Sequence, residues 1–503
     1  MQWIKVFLVS CALPALLYAD TPPNIILFLV DDMGWQDTSV SFGNTSTPFN
    51  QRYQTPAMKN LAEEGIIFVN AYSASPVCTP TRAAIMTGQS AGRSGISYWI
   101  LYPDQDTSAS HPRLLPPKWN TQGLSKNDST LAKILQRNGY RTIHVGKSHL
   151  GAVGTSGADP RNLGFDINIA GHGAGAPGSY YGIHNFKSQR RKGKTGESVW
   201  DVPGLEQYHG KDIFLTDALR IETQRAITDA KEAGKPFFLQ CAPYAVHTPI
   251  MANPKYIDSY ADLDTREAAY ATMIESMDTA LHSIMESLKK LDIIDNTLII
   301  FTSDNGGLSA HARGGKPHLH NSPLRSGKGS AYEGGVRVPF IIAGGPVTQR
   351  GKRSEIPVIS MDIFPTVLEL AGIDINAIDH PAIDGVSLAS CINSEEPLHT
   401  QTLKQRSLVW HMPHQWGVQG PGIEPFTSIR RGNWKLCFFH DGPRYELYNL
   451  ATDLSETMNR ASDNPEIVTS LLEELNAWQS KTGARMSRTK STGEYVGIPS
   501  SID

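Results

Sequence analysis

The residue with the clearest chemical potential in this sequence is Cys78. It lies in the run Ser-Pro-Val-Cys-Thr-Pro-Thr-Arg, with Pro80 two residues later and Arg82 four residues later. Proline suits the first turn of a helix, so we expect Cys78 just before a helix N-terminus, where N–H groups favour negative charge. Arg82 falls one helical turn on and can reach back over that turn. The pattern predicts an anion site, and the alternative is a small buried cysteine in a proline-containing loop.

Carboxylates follow two apolar runs of strand length. Asp31 and Asp32 end the first run, and Asp304 and Asn305 end the second. Adjacent carboxylates repel each other and are most stable around a cation. An all-oxygen set suits calcium, with magnesium also possible, whereas zinc would want histidine or cysteine. The alternative for the Asp pair is that one of them caps a following helix.

Cationic and imidazole groups follow other predicted strands. Lys147 and His149 come two residues apart after the strand 140–145, and His247 precedes Pro249 after the strand 236–242. Lys328 lies in a glycine-rich run. Each could be an ordinary surface group, but together they could bind an anionic ester and move protons.

These motifs resemble those of the formylglycine-dependent sulfatases of the alkaline-phosphatase superfamily, and of bacterial polysaccharide-degrading sulfatases in particular. The resemblance implies that a maturation enzyme oxidises Cys78 to formylglycine and that this residue helps to bind a metal. It also implies that Arg82 steadies the formylglycine. The other implied metal ligands are Asp31, Asp32, Asp304 and Asn305, and the implied sulfate pocket consists of Lys147, His149, His247 and Lys328.

Sulfate-ester hydrolysis needs a nucleophile, positively charged groups beside the sulfate oxygens and a proton for the leaving alcohol. In a hydrated aldehyde, one hydroxyl can attack sulfur and the second can then expel sulfate. We assign His149 as the base for that expulsion and His247 as the acid to the leaving oxygen. The two assignments could be exchanged, because spacing alone does not orient the imidazoles.

The surrounding sequence alternates strands and helices, which predicts an α/β fold. We expect a large, mostly parallel sheet sandwiched by helices, with the polar strand ends along one edge. Single strands are expected over 66–72, 336–342 and 427–439. After residue 400 strands follow one another without helices, which predicts a smaller antiparallel subdomain with one helix over 467–478. The expected organisation is a signal peptide (1–19), a catalytic domain (20–400) and a C-terminal subdomain (401–503).

Composition limits the cellular setting. A net charge of −3 over 503 residues argues against nucleic acid as a partner. The apolar segment within 1–19 predicts export to the periplasm or medium, with lipoprotein anchoring at Cys11 as the second choice. No later run has the length of a membrane span. Three further cysteines are scattered and are expected to be buried thiols, namely Cys241, Cys391 and Cys437.

Export and the absence of an apolar anchor favour a large external substrate. We expect a sulfated poly- or oligosaccharide, and among these a sulfated galactan. Two segments, 171–194 and 410–416, carry the aromatic, imidazole and basic side chains that sugars and sulfates need. For Trp410 and Trp416 the alternative is a subdomain interface. The candidate substrate-binding residues are His172, His311, Arg313, Arg325, His411 and His414.

Two other functions are alternatives for the same sequence. A phosphodiesterase or phosphonate hydrolase could share the nucleophile and pocket. A non-catalytic sugar-binding protein would not need Cys78.

Overall fold

The computed structural model describes residues 22–189, 198–394 and 400–499, and within them sixteen strands are found. In chain order they are β1 (Asn24–Val30), β2 (Gly65–Phe68), β3 (Ala71–Tyr72), β4 (Leu114–Leu115), β5 (Arg141–Gly146), β6 (Ile167–Ile169), β7 (Phe237–Ala242), β8 (Thr297–Ser303), β9 (Phe340–Ala343), β10 (Lys352–Ser354), β11 (Val358–Ile359), β12 (Ser407–Met412), β13 (Phe426–Arg431), β14 (Trp434–Phe439), β15 (Arg444–Asn449) and β16 (Arg488–Thr489).

The same described residues form twelve α-helices. They are α1 (Pro48–Arg52), α2 (Pro56–Glu63), α3 (Cys78–Thr87), α4 (Ala91–Ser94), α5 (Leu131–Arg137), α6 (Leu215–Glu232), α7 (Thr265–Lys290), α8 (Glu333–Val336), α9 (Ile363–Leu370), α10 (Ala389–Asn393), α11 (Thr400–Gln405) and α12 (Pro465–Thr482).

Eight strands form the main sheet in the order β10-β2-β9-β8-β1-β7-β5-β6. All pairs are parallel except those of β9, which runs antiparallel to β2 and β8. β1 is buried along its whole length, because it is apolar on both faces. Its residues Ile26, Phe28 and Val30 pack in a core with α2, α6 and α7, and Ile25, Leu27 and Leu29 pack in a second core with α3, α5 and α9. The predicted sandwich of helices on a mostly parallel sheet is confirmed.

A second, antiparallel sheet has the order β12-β13-β14-β15. Helix α12 packs on it through Leu471, Leu472 and Leu475, which share a core with Ile429 and Leu436. This confirms the smaller antiparallel sheet with one helix. The boundary at residue 400 stays a prediction.

Three predicted strands were wrong in detail. The run 66–72 is two strands, because β3 leaves the main sheet and pairs with β11. Of 336–342 only the end is strand, since α8 covers residues up to Val336. The run 427–439 is a hairpin rather than one strand, and Gly432 makes its turn with a φ of 58°.

Cys241, Cys391 and Cys437 are buried free thiols, as predicted. Among the described residues, no helix combines the length and the apolar character that a membrane crossing requires. The predicted signal peptide 1–19, with Cys11, and the basic residues 190–194 lie outside the described residues.

Candidate active site

Four adjacent strands bring the predicted site together. β8, β1, β7 and β5 are parallel neighbours, so their C-terminal ends lie along one edge of the sheet. Asp304 follows β8, Asp31 follows β1, His247 follows β7 and Lys147 follows β5. Polar residues far apart in sequence therefore meet at one place.

The carboxylates and the amide form one hydrogen-bonded group. The Asp32 backbone N–H donates to Asp304 Oδ1 at 3.1 Å, and Asn305 Nδ2 donates to Asp32 Oδ1 at 2.8 Å. Asp32 has a φ of 61°, a left-handed conformation that turns the chain sharply after β1. Asp32 Oδ2 and Asn305 Oδ1 are buried and have no hydrogen-bond donor among the described residues. Buried oxygens without donors are what a hard cation would satisfy, so this group fits a calcium or magnesium ion.

Three buried cations balance three buried carboxylates. Lys147 Nζ lies 2.7 Å from Asp31 Oδ2, and Lys328 Nζ lies 2.6 Å from Asp32 Oδ1. Arg82 Nε donates to Asp304 Oδ2 at 2.8 Å. A divalent cation added to this neutral set would leave net positive charge for an anionic ester.

The charges of Asp32 and Lys328 support each other. Burial alone would raise the pKa of Asp32, but the Lys328 ammonium holds it well below its usual range. Burial likewise acts to lower the pKa of Lys328, but Asp32 and its neighbours raise it above the ordinary value. Both groups therefore stay charged in the neutral range.

Cys78 is the first residue of helix α3, after Val77 in extended conformation. Its predicted place beside a helix N-terminus is confirmed. Burial raises the pKa of the Cys78 thiol, although Lys147 and Lys328 oppose this. An unmodified Cys78 would therefore be a poor nucleophile at neutral pH, because the thiolate is the reactive form.

The two site histidines differ in their hydrogen bonds. His149 Nε2 lies 2.7 Å from the Ile100 carbonyl and 3.2 Å from Thr79 Oγ1. His247 Nδ1 lies 2.9 Å from the Thr248 carbonyl oxygen, and its Nε2 lies 3.7 Å from Asp32 Oδ2. Burial lowers the pKa of His149 well below its usual range and, helped by Lys328, lowers that of His247 to about 3.

A cavity of about 690 Å³ opens at this edge of the sheet. Of the predicted catalytic set, four residues line it, namely Cys78, His149, His247 and Lys328. Lys147 and Arg82 are fully buried and hold the carboxylates instead. The cavity is large enough for a sugar residue.

Aromatic side chains form much of the rest of the wall. Trp99, Trp200 and Trp416 all line the cavity, together with His184. Sequence reasoning missed Trp99 and Trp200. An aromatic doublet at Tyr98-Trp99, twenty residues after Cys78, was the available signal for the first.

Among the six candidate substrate-binding residues, only His311 lines the cavity. His172 is half-buried near it, and its carbonyl accepts the His149 backbone N–H at 3.1 Å. Its segment still contributes to the site, because Gly175 packs so closely on His149 that a Cβ would lie 2.4 Å from the imidazole Cε1.

Arg313 is held in the protein core. Its guanidinium pairs with Asp37 at 3.1 Å and Glu267 at 2.9 Å, and it lies 3.9 Å from the centre of the Tyr270 ring. Arg325 donates to the Glu456 carbonyl and to the Tyr448 hydroxyl. The structure therefore places both arginines away from the cavity.

His411 and His414 also lie outside the cavity, although both are buried. His411 bonds to Thr427 Oγ1, and His414 bonds to Ser97 Oγ. Trp410 packs on Tyr72 with ring centres 5.1 Å apart and belongs to the interface, as the alternative interpretation had it.

One edge of the parallel strands carries an oxygen group that fits a cation, cations paired with carboxylates, and a cysteine at a helix N-terminus. Together these features define a hydrolase of anionic esters. Comparison with known proteins narrows this class. The sulfatase family model matches residues 23–373, and the model of the C-terminal part of N-sulphoglucosamine sulphohydrolase matches residues 327–481. The chain belongs to the sulfatase family and is a sulfuric ester hydrolase, as the sequence motifs predicted.

Relatives match over most of their length. A sulfatase of Formosa agariphila is 29% identical over 96% of this chain and 93% of its own. Human N-acetylgalactosamine-6-sulfatase is 31% identical over 79% of this chain and 72% of its own. The crystal structure of Ps i-CgsB in complex with k-i-k-neocarrahexaose has a TM-score of 0.73 and 27% identity, and the match covers 91% of this chain and 93% of that one.

Proposed function

We propose that this enzyme hydrolyses a sulfate ester on a carbohydrate, with a sulfated galactan poly- or oligosaccharide as the substrate, formylglycine at position 78 and a calcium ion. The observation that carries the proposal is the convergence of Cys78, His149, His247 and Lys328 on one cavity beside the Asp32 oxygen group. Magnesium remains the alternative cation.

The metal would be held by oxygens at the ends of β1 and β8. Asp32 Oδ2 and Asn305 Oδ1 have free lone pairs, and Asp31 and Asp304 complete the set. When bound, a divalent cation would lower the pKa of a coordinated hydroxyl. The residue derived from Cys78 is the further proposed ligand.

The nucleophile would come from Cys78. Its hydrated aldehyde would supply two hydroxyls on one carbon, one to attack sulfur and one to expel sulfate. Conversion to formylglycine requires a maturation enzyme as a partner. The raised pKa of the unmodified thiol supports a need for conversion, because the buried cysteine itself is poorly ionised.

The other residues bind the sulfate and move protons. Lys328 reaches the cavity and carries a fixed positive charge that an ester oxygen can meet. Lys147 is buried behind the cavity wall and contributes to the site through its ion pair with Asp31. We assign His247 as the acid to the leaving oxygen, because its Nε2 faces the carboxylate side of the cavity while Nδ1 donates to the Thr248 carbonyl. The role needs the imidazolium form, which an anionic ester bound beside Lys328 would favour by offsetting the lysine charge that lowers the pKa of His247. His149, beside Thr79, is the base.

A carbohydrate is supported by the wall of the cavity. Trp99, Trp200 and Trp416 offer flat apolar faces, and sugar rings stack on such faces. His311 and His184 add hydrogen-bonding groups. A galactan is supported by the neocarrahexaose bound to Ps i-CgsB, and a sulfated sugar in general by the N-acetylgalactosamine in the name of the human relative. The enzyme is proposed to be exported, either to the periplasm or to the medium, and it would meet its substrate outside the cytoplasm.

The test is a desulfation panel of sulfated galactan oligosaccharides, glycosaminoglycan fragments, aryl sulfates and phosphate diesters. We expect the galactan sulfates to be turned over with the highest kcat/KM. Cys78→Ala should be folded and inactive on all of them, and a peptide mass over position 78 should show the lighter formylglycine in the parent. Full turnover by Cys78→Ala would reject the mechanism, and faster turnover of phosphate diesters would reject the sulfate ester. Preference for aryl sulfates would reject the carbohydrate.

A further inference from the structure

A second cavity, of about 340 Å³, lies between the main sheet region and the antiparallel sheet region. Segment 96–100 separates it from the catalytic cavity, because Ser97 lines the second cavity while Trp99 lines the first. The side chains that give it chemical character are Arg93, Lys118, Trp119, Asn120, His411 and Arg485.

Two of its cations have no carboxylate partner in the part of the chain that the structure describes. Lys118 and Arg485 are exposed, and no Asp or Glu among the described residues lies within ion-pair distance of either. Arg485 Nη1 instead donates to the Lys118 backbone carbonyl at 3.2 Å, which places the Arg485 side chain next to Lys118 on the rim. Arg93, in contrast, is paired with Asp384 at 2.7 Å. The rim is therefore locally positive on a protein with a net charge of −3.

An indole lies beside these charges in a fixed position. The Trp119 ring packs against His414, with centres 5.2 Å apart, and against Tyr98 at 6.3 Å. Its Nε1 is buried without an acceptor among the described residues. A rigid ring next to two unpaired cations is the combination that binds a sugar face and its sulfate groups at once.

We propose that this second cavity is a binding site for a sulfated stretch of polysaccharide, distinct from the catalytic cavity. The proposal rests on the carbohydrate substrate proposed above. Lys118 and Arg485 would pair with sulfate oxygens, and Trp119 would meet a sugar ring. Neither cation lines the catalytic cavity, so this site would retain a long chain without altering the chemistry.

The experiment compares two double variants with the parent enzyme. Lys118→Ala/Arg485→Ala removes the unpaired cations, and Lys59→Ala/Lys235→Ala removes the same net charge from exposed positions that line neither cavity. Each protein is tested for retardation in native gels containing a sulfated galactan, and for kcat and KM on that polymer and on nitrophenyl sulfate.

We expect the cavity variant to lose most of its retardation and to show a KM for the polymer about a hundredfold higher, the lower end of the gain that a second linked site provides. Its kcat on both substrates and its KM for nitrophenyl sulfate should stay within twofold of the parent, and the control variant should match the parent throughout. Unchanged retardation of the cavity variant, or equal losses in both variants, would overturn the second site alone. A parent that cleaves nitrophenyl sulfate but neither binds nor desulfates the polymer would overturn the proposed substrate and the second site together.

Discussion

The difference between the two site histidines can be tested at the scale of single residues. His247 keeps Nε2 on the cavity side, whereas His149 Nε2 is engaged by the Ile100 carbonyl. If His247 protonates the leaving oxygen, its loss matters most when the leaving alcohol is a poor one. We expect His247→Ala to slow a sugar sulfate about 10²–10⁴-fold, the usual contribution of a general acid, and to slow nitrophenyl sulfate much less.

His311→Ala is the matched control, since His311 lines the same cavity but has no role in proton transfer in the proposed mechanism. Its kcat should lie within a few-fold of the parent on both substrates. Equal losses on good and poor leaving groups in His247→Ala would move the acid role to His149.

Residues that follow strand ends were predictable from the sequence, and residues fixed by distant partners were not. Asp31, Lys147 and Asp304 each follow an apolar run of strand length. Because the C-terminal ends of parallel strands lie along one edge of a sheet, these residues are expected to meet there. Arg313 also lies a few residues beyond a predicted strand end, after Asn305, but its guanidinium pairs with Glu267, which is 46 residues away in the chain. A single sequence contains no information about that pairing.

At the scale of elements, strand β14 ties the antiparallel sheet to the loop that carries Lys328. Lys435 is fully buried, with Nζ at 2.9 Å from Glu333 Oε1 and 3.0 Å from Glu456 Oε1. Glu333 opens helix α8, five residues after Lys328, and also accepts the Tyr72 hydroxyl at 2.8 Å. Removing the Lys435 charge would leave two carboxylates buried together.

We therefore expect Lys435→Met to lower the free energy of unfolding by about 3–5 kcal/mol, the cost of breaking one side of a buried ion pair. Urea unfolding followed by fluorescence measures it. Lys404→Met, at an exposed position of α11, should stay within about 0.5 kcal/mol of the parent. Adding Glu456→Gln to Lys435→Met should recover part of the loss. A single variant as stable as the parent would contradict this account.

Element types were more predictable than element ends. The apolar content of β1 and β8 predicts buried strands whatever their partners. The exit of β3 toward β11 depends on a partner nearly three hundred residues later, and the apolar content of β9 does not show that it runs antiparallel to β8. Both are tertiary effects that local pattern does not encode.

At the scale of the whole molecule, buried imidazoles link stability to pH. Burial lowers the pKa of His411 from 6.5 to about 4, although its bond to the Arg485 carbonyl opposes this. The folded state therefore holds His411 neutral while the unfolded chain takes up a proton below pH 6.5. The contribution of His411 is fully present above pH 6.5 and is lost as the pH falls toward 4, with a total of about 3 kcal/mol.

Replacing this group should flatten the acid side of the stability profile. Between pH 6 and 4.5, we expect His411→Gln to reduce the slope of unfolding free energy by about 1 kcal/mol per pH unit relative to the parent. Denaturant titrations at several pH values measure the slope. His282→Gln, at an exposed position of α7, should leave it unchanged. A parallel shift of the whole curve without a change of slope would rule out this titration.

The proposed metal also links the site to global stability, because it would bridge the ends of β1 and β8, two central strands of the main sheet. A ligand that binds only the folded state stabilises it by about 2.7 kcal/mol at a hundredfold excess over its Kd. We expect a calcium chelator to lower both the melting temperature and the activity, and added calcium to restore both. Calorimetry with calcium and with magnesium would identify the preferred ion.

Asn305→Ala provides the matched test of the ligand set, since Asn305 Oδ1, like Asp32 Oδ2, is a buried oxygen of this group that has no donor among the described residues. Its calcium-dependent rise in melting temperature should be smaller than that of the parent at equal calcium concentration. Asp379→Asn removes a carboxylate at an exposed position outside the proposed ligand set, and this variant should respond to calcium as the parent does. A melting temperature that chelation leaves unchanged in the parent would contradict a metal at this edge of the sheet, because an ion that binds only the folded state must stabilise that state.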